Sequence, residues 1–302
     1  MTVAGLPWRG PGPERPEDLA LPPASMPLRR AGAWRKRWRY VGFFADDLLG
    51  CAAQVEVGPA RQTFWALWDR GGRRLVERTR LVPPRGGGQV WSESTAGERI
   101  DHAPDAGSLL RIESRHPDAG EVSATLRLAG GRWVEAVCPA AGEGYVWTRK
   151  RCGGAVAGEV RIGGRRFEID GRAVEDESAG YHPRHTVWSW SAGAGHAADG
   201  RSVAWNLVSG VNDPPERSER AIWLDGEPSE PGPVAFDGLA MITFDDGSRL
   251  AFTPECERRR AENRLIVRYE YRQPFGSFAG SLPGGVELDG ALGVMESHEA
   301  WW

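Results

Sequence analysis

The sequence predicts an all-β protein, and three observations carry the prediction. Short runs rich in Val, Ile, Phe and Trp alternate at period two, they recur every ~8–12 residues, and Gly-Gly or Asp-Gly pairs fall between them. Residues 1–27 are instead Pro- and Gly-rich without period, and read as an extended arm or a strap over the fold. The first clear strand is Lys36–Phe44, with Trp38, Tyr40 and Phe44 on one face and Arg37, Arg39, Val41 and Phe43 on the other. In Gln62–Asp69, Thr63, Trp65 and Leu67 oppose Phe64, Ala66 and Trp68. Further strands are expected at 121–128, 186–191, 202–208, 241–244, 249–253 and 264–272. The pairs Gly71-Gly72, Gly130-Gly131, Gly163-Gly164, Asp199-Gly200, Asp246-Gly247 and Gly284-Gly285 suit hairpin turns. Few helices are expected, all short. Ala251–Arg264 is the best candidate, but Pro254 spoils its start, and it reads as a strand followed by a charged loop. Gly153-Gly154 marks the expected seam. The chain then divides into an arm (1–27) and two β units (28–153 and 154–302), with no strict repeat between them.

Composition narrows the class. At 302 residues the chain suits about two domains, and it can bury a core without disulfide or metal staples. The 40 Gly and 22 Pro are spread along the chain, which indicates many turns rather than disorder. A net charge of −3 argues against a dedicated nucleic-acid binder. Only two of the 38 basic residues are lysines, Lys36 and Lys150, a bias most simply read as the mark of a GC-rich coding genome. The four cysteines form no C-x-x-C, so neither a disulfide scaffold nor a zinc knuckle is indicated. No apolar run reaches the ~18 residues of a membrane span. The N-terminus lacks the basic-then-apolar order of a signal peptide, so a cytoplasmic protein is expected. The basic run Arg29–Arg39 interleaves with Trp34 and Trp38; alternation makes its Arg face a solvated strand exterior, with a weak membrane-surface contact as the remaining option. No obligate protein partner is expected.

Familiar cofactor motifs are missing. Neither lysine sits in a P-loop, Gly276–Gly280 carries its Ser one place too early for a nucleophile elbow, and Gly193-Ala194-Gly195 ends a strand without opening a helix. No cofactor is implied. His182 and His185 with an acid would be a conceivable zinc set, but they lack the usual acid and helix, and no metal is predicted.

Two polar clusters remain. Glu175–His185 brings three acids beside Tyr181 and His182, immediately before a strand that presents Trp188 and Trp190 on one face. These groups either divide proton donor and acceptor roles or form a solvated loop. Which of Glu175, Asp176 and Glu177 points inward is open, because a one-residue slip reverses the faces. Near the C-terminus, Glu296 shares a row with Val294 and His298, opposite Met295; that row is either a cavity-facing patch or a wet exterior. Asn206, inside an apolar strand, must satisfy its amide with backbone or ligand. The 14 tryptophans, among them Trp65, Trp188, Trp190 and Trp205, either build a core or line an apolar cavity.

Several of these segments resemble the domain-of-unknown-function 2804 family. They are Trp38–Gly42, Phe64–Asp69, Trp147–Lys150, Asp176–His182, Thr186–Trp190, Trp205–Gly210, Ser218–Arg220 with Trp223, Tyr271–Gly276, Leu282–Gly285 and Gly293–His298. The resemblance spans roughly residues 25–302. That family is distantly similar to tocopherol-cyclase-like and carotenoid-hydratase-like proteins, which implies two lipocalin-like antiparallel β-barrels in tandem. It also implies a hydrophobic ligand of isoprenoid, polyene or lipid-like kind, and cofactor-free hydration, cyclisation or isomerisation. No catalytic residue carries over. On this reading Asp176 or Glu296 is the acid, His182 and Tyr181 orient it, and Trp188, Trp190 and Trp205 wall the pocket, with Asn206 and Trp65 as further ligand contacts. Ring faces suit cationic intermediates. The alternatives are a non-catalytic carrier of lipid-like ligands, with the acids merely exposed, and a carbohydrate-active or carbohydrate-binding protein, whose hydrolytic form needs two carboxyls about 5–10 Å apart across an open cleft.

Overall fold

The structure is a computed structural model of the chain and describes residues 3, 5–10, 15–82, 90–94, 107–264 and 267–302. Among these residues there are strands, turns and bends but no helix. Strand β1 (Trp8–Gly10) and the small hairpin of β2 (Arg29–Arg30) and β3 (Ala33–Trp34) belong to the N-terminal region. The first large sheet uses β4 (Lys36–Ala45), β5 (Leu48–Val57), β6 (Ala60–Asp69), β7 (Arg74–Val82), β8 (Val90–Ser94), β9 (Ser108–His116), β10 (Gly120–Leu128), β11 (Val134–Pro139), β12 (Tyr145–Ile162) and β13 (Arg165–Gly180). The second uses β14 (His185–His196), β15 (Ser202–Ser209), β16 (Ala221–Leu224), β17 (Glu227–Ser229), β18 (Val234–Asp237), β19 (Met241–Phe244), β20 (Arg249–Arg264), β21 (Val267–Leu282) and β22 (Val286–Trp301).

The strand orders are β7-β6-β5-β4-β13-β12-β10-β9-β8 and β17-β16-β15-β14-β22-β21-β20-β19-β18. In each sheet the first long strand pairs antiparallel with the last, so both units share one plan: two meanders joined along a seam, β4 with β13 and β14 with β22. Each sheet curls, because residues from distant strands meet in one core. Val41, Phe43, Trp65, Leu110 and Val156 pack together inside the first barrel. Trp205, Leu207, Phe252, Phe278 and Met295 do so inside the second. The fold is therefore all-β and lipocalin-like, twice over. Period two then delivers the other face of the same strands to a third core between the barrels, where Phe44, Leu49 and Trp68 meet Trp190, Trp223 and Phe275. The N-terminal arm straps the outside of the first barrel. Its Trp8, Leu19, Leu21 and Met26 cover Val137, Trp147 and Tyr181, and β1 adds to β11.

All six expected turn pairs fall in links between consecutive strands. Four other expectations change. Gly153-Gly154 is a bulge inside β12, with Gly153 at φ +86°, a conformation glycine adopts without strain. The chain changes sheet at residues 181–184, where Pro183 has no N–H to offer a ladder. Ala251–Arg264 belongs to one continuous strand, because Pro254 sits at a bulge, where a missing donor costs little. The 264–272 run is divided between two strands, Arg264 closing β20 and Val267 opening β21, with Leu265 and Ile266 outside the described residues. Finally, the Arg face of β4 is no solvated exterior: Val41 and Phe43 are core, and Arg39 pairs with Glu175 and Glu177. Arg37 stays exposed on that face, as does the start of the run, where Arg29 lies over the exposed Trp34 ring at 3.8 Å.

Candidate active site between the barrels

The two seams face each other, and their registers are alike. In the first, Tyr40 lies directly across from Asp176 and Trp38 from Ser178. In the second, Trp190 lies across from Glu296 and Trp188 from His298. Directly opposed residues share a face of the sheet, so each seam presents an aromatic pair and one carboxylate to the space between the barrels. That space holds a cavity of about 110 Å³, walled by Trp38, Tyr40, Trp188, Trp190 and Tyr271, with Asp176 and Glu296 in its lining. Trp38 stacks on Trp188 with centroids 6.3 Å apart, and Tyr40 meets Trp190 edge-on at 5.4 Å.

Asp176 is charge-paired. Lys150 on β12 places Nζ 2.5 Å from Asp176 Oδ1 and 3.3 Å from Glu219 Oε1. Burial works against the Lys150 ammonium, but the two carboxylates outweigh it and hold its pKa above the usual lysine range. Burial pushes the Glu219 carboxyl up, and Asp176 adds to this against the pull of Lys150.

Glu296 has no such cation. Its carboxylate accepts from Trp188 Nε1 at 2.8 Å and from Gln273 Nε2 at 2.9 Å. Burial nevertheless pushes its pKa up to about 7, with Asp176 adding to the rise. The Tyr271 hydroxyl sits close enough to perturb Glu296 but makes no hydrogen bond of good geometry. His298 packs on Trp188 at 4.0 Å. Burial, assisted by Arg258, lowers its pKa to about 3, so the ring is neutral near pH 7. Its Nδ1 is 3.9 Å from Glu296 Oε1, too far for a hydrogen bond, and a neutral imidazole forms no ion pair there.

Of the residues singled out from sequence, Asp176, Glu296, Trp188 and Trp190 line the cavity. Asp176 is thus the inward member of its acidic trio; Glu175 and Glu177 turn to Arg151, Arg39 and Arg149 on the other face. The row of Glu296 faces the cavity and is not a wet exterior. Asn206 stands one step behind, accepting from Trp190 Nε1 at 2.8 Å and donating to the Glu219 carbonyl at 3.0 Å. Both ends of its amide thus bond to the protein, and Asn206 is not in the cavity lining.

Four placements correct the sequence reading. Tyr181 points to the arm, donating to the Pro27 carbonyl at 2.7 Å and packing edge-on against Tyr145. His182 is buried with its ring 5.0 Å from Trp38, behind the cavity wall, and burial with Lys36 and Lys150 nearby lowers its pKa to about 3. Trp205 and Trp65 lie inside the second and first barrel cores. Each of these two is off by one residue: Phe64, beside Trp65, lines the cavity, and Asn206, beside Trp205, backs it. His185 faces outward, bound to Glu299 at 2.9 Å and stacked on Trp301, so it does not converge with His182. No group of three metal-ligating side chains is present among the described residues. No helix among them is long and apolar enough to cross a membrane.

Sequence reasoning missed Lys150, Glu219, Gln273 and Tyr271 as site residues. One signal was available. In a chain whose basic residues are otherwise all arginine, both lysines are buried, which is where a compact ammonium and a guanidinium are least interchangeable.

No curated protein sequence matches the chain. Among solved structures, kievitone hydratase from Nectria haematococca shares the fold at a TM-score of 0.52 and 11% identity, over 88% of this chain and 88% of that one. A putative AttH from Nitrosomonas europaea aligns at a TM-score of 0.42 and 12% identity, over 92% of this chain and 98% of that one. The sequence profile described as Domain of unknown function (DUF2804) matches residues 23–302, and the chain belongs to that family.

Proposed function

We propose that the protein is a cofactor-free acid–base enzyme acting at a carbon–carbon double bond of a hydrophobic small molecule, with Glu296 as the proton donor. The observation that supports this is a buried carboxyl with a pKa of about 7 on the wall of an aromatic-lined cavity. Such a group is partly protonated at neutral pH, which suits general acid catalysis. In the forward step Glu296 gives its proton to one alkene carbon, and the ring faces of Trp38 and Trp188 stabilise the positive charge left on the other. In hydration, water adds to that carbon and returns its excess proton to the Glu296 carboxylate; in isomerisation, a neighbouring C–H returns it instead. The charge-paired Asp176 holds negative potential beside the cation and is no proton donor in this scheme. Trp188 and Gln273 take the orienting role that sequence gave to His182 and Tyr181.

The cavity limits the substrate. At about 110 Å³ it is smaller than the ~150 Å³ cavity that accepts benzene, so it takes the reacting end of a molecule and not a whole polyene. Its wall is also mainly apolar, which suits a polyhydroxylated sugar poorly. A hydratase shares the fold, which puts water addition first among the reactions to test. The test is incubation with short isoprenoid alcohols and alkenylphenols in H₂¹⁸O, with products read by mass spectrometry. Wild-type protein should incorporate label into at least one substrate, and Glu296→Gln should not. Binding without turnover, unaffected by Glu296→Gln, would instead identify a carrier.

A further inference from the structure

We propose that the site has a second compartment, a surface groove that holds the body of the substrate while the cavity between the barrels holds its apolar end. The substrate class is then a molecule with a compact apolar terminus joined to a larger, uncharged, hydroxyl-bearing body. This rests on the proposed function above and extends it to a place that function does not use.

The groove lies beside the cavity and has a volume of about 370 Å³. It runs between the β11–β12 loop at Ala140 and Ala141, the sheet-changing segment from His182 to Val187, and the loop after β15 at residues 210–214. Val211 and Asn212 line both spaces, so a single stretch of loop separates them. The cavity alone is too small for most metabolites, whereas the groove falls in the ~300–1,000 Å³ range of small-molecule sites.

Two features of the groove offer contacts to a ligand. Val187 is 51% exposed at its edge, one of four large apolar side chains exposed among the described residues. His182 is 2% exposed in its wall, and neither ring nitrogen has a hydrogen-bond partner. A buried imidazole left unpaired costs stability, and in its neutral form it offers one donor and one acceptor. Small readjustment of the wall would let a ligand hydroxyl satisfy either. The charge of the lining selects further: it contains Asp213 but no Lys or Arg. An anionic body would meet the Asp213 carboxylate with no lysine or arginine in the wall to hold it, while a neutral phenol or alcohol would meet an acceptor.

The test compares isopentenol, which fills only the cavity, with para-isopentenylphenol, which reaches the groove, by quenching of tryptophan fluorescence. Wild-type protein should bind the phenol about tenfold more tightly or better, because the added ring buries apolar area. Val187→Glu and Ala141→Trp alter exposed positions of the groove and leave the cavity lining alone. Each should weaken the phenol about tenfold and leave isopentenol within about twofold. Equal affinities for both probes in the wild type, or variants that shift both probes alike or neither, overturn the groove. Failure of both probes to bind overturns the groove together with the reading beneath it. Groove-dependent binding without any turnover supports the groove and removes only the catalytic reading.

Discussion

The two seams repeat one arrangement and differ in what stands behind the acid. Tyr40 faces Asp176 across the first seam as Trp190 faces Glu296 across the second, each beside a further tryptophan two residues away. Behind Asp176 the adjacent strand supplies Lys150 at 2.5 Å; to Glu296 the adjacent strand supplies the neutral amide of Gln273 at 2.9 Å. An ammonium compensates a buried carboxylate, whereas an amide only hydrogen-bonds it, so burial prevails at Glu296 and its pKa climbs to about 7. One plan thus yields a fixed ion pair on one side of the cavity and a mobile proton on the other. Environments that separate two carboxyls in this way assign the roles of charge and acid.

If that difference is functional, the two acids respond differently to neutralisation. Glu296→Gln is expected to lower turnover by about 10²–10⁴-fold, the usual worth of a general acid. Asp176→Asn is expected to cost only about tenfold, because Glu219 still partners Lys150 and the proton donor is intact. Comparable losses from both variants in steady-state assays would break the asymmetry. Stability reverses the ranking. Lys150→Met leaves Asp176 and Glu219 buried without their cation and is expected to destabilise by about 3–5 kcal/mol in urea titration.

The raised pKa of Glu296 also sets a pH dependence. A carboxyl that binds its proton more tightly folded than unfolded stabilises fully below its unfolded pKa, near 4.5, and loses that contribution as pH rises through about 7. The wild type should therefore lose up to roughly 3 kcal/mol relative to Glu296→Gln between these limits. His182 and His298, both lowered to about 3, have the opposite sign: stability falls as pH drops from about 6.5 towards 3. Comparing variant with wild type at each pH cancels their shared contribution and isolates Glu296. Gln273→Lys sharpens the same point by giving the second seam the cation of the first. It should bring the Glu296 pKa down by about 1–3 units, shifting the alkaline limb of activity to lower pH.

Much of the fold was legible because period two is a property of neighbours in sequence. The faces of Lys36–Phe44 and Gln62–Asp69 divide between cores as their alternation requires, and glycine pairs mark the turns. The row of Glu296, Val294 and His298 opposite Met295 was legible for the same reason. Alternation names the two faces without saying which meets a partner sheet. This is why Arg39 reads as exterior but lies in a buried ion network, and why Trp65 and Trp205 look like pocket walls. The pairing of Lys150 with Glu219 joins residues 69 positions apart and depends on how the barrels dock, so no local pattern reports it. The seam was misplaced because a bulge glycine and a domain-boundary glycine have the same sequence signature.

The smallest expected effect tests that one-residue parity directly. Trp65 is fully buried in the first barrel, while its neighbour Phe64 lines the cavity on the opposite face of β6. Trp65→Phe removes ring volume from a packed core, which alone costs about 1–2 kcal/mol. It also removes an indole N–H that is buried without an acceptor, and losing an unsatisfied donor returns part of that cost. The net change is expected to stay near ~1 kcal/mol or less. Ligand quenching of tryptophan fluorescence should persist, because Trp38, Trp188 and Trp190 stay in the cavity wall. Trp190→Phe leaves the Asn206 carbonyl without its donor and alters that wall, so it should change both stability and quenching. If Trp65→Phe abolishes quenching while Trp190→Phe preserves it, the ligand lies inside the first barrel, and the assignment of the site to the space between the barrels fails.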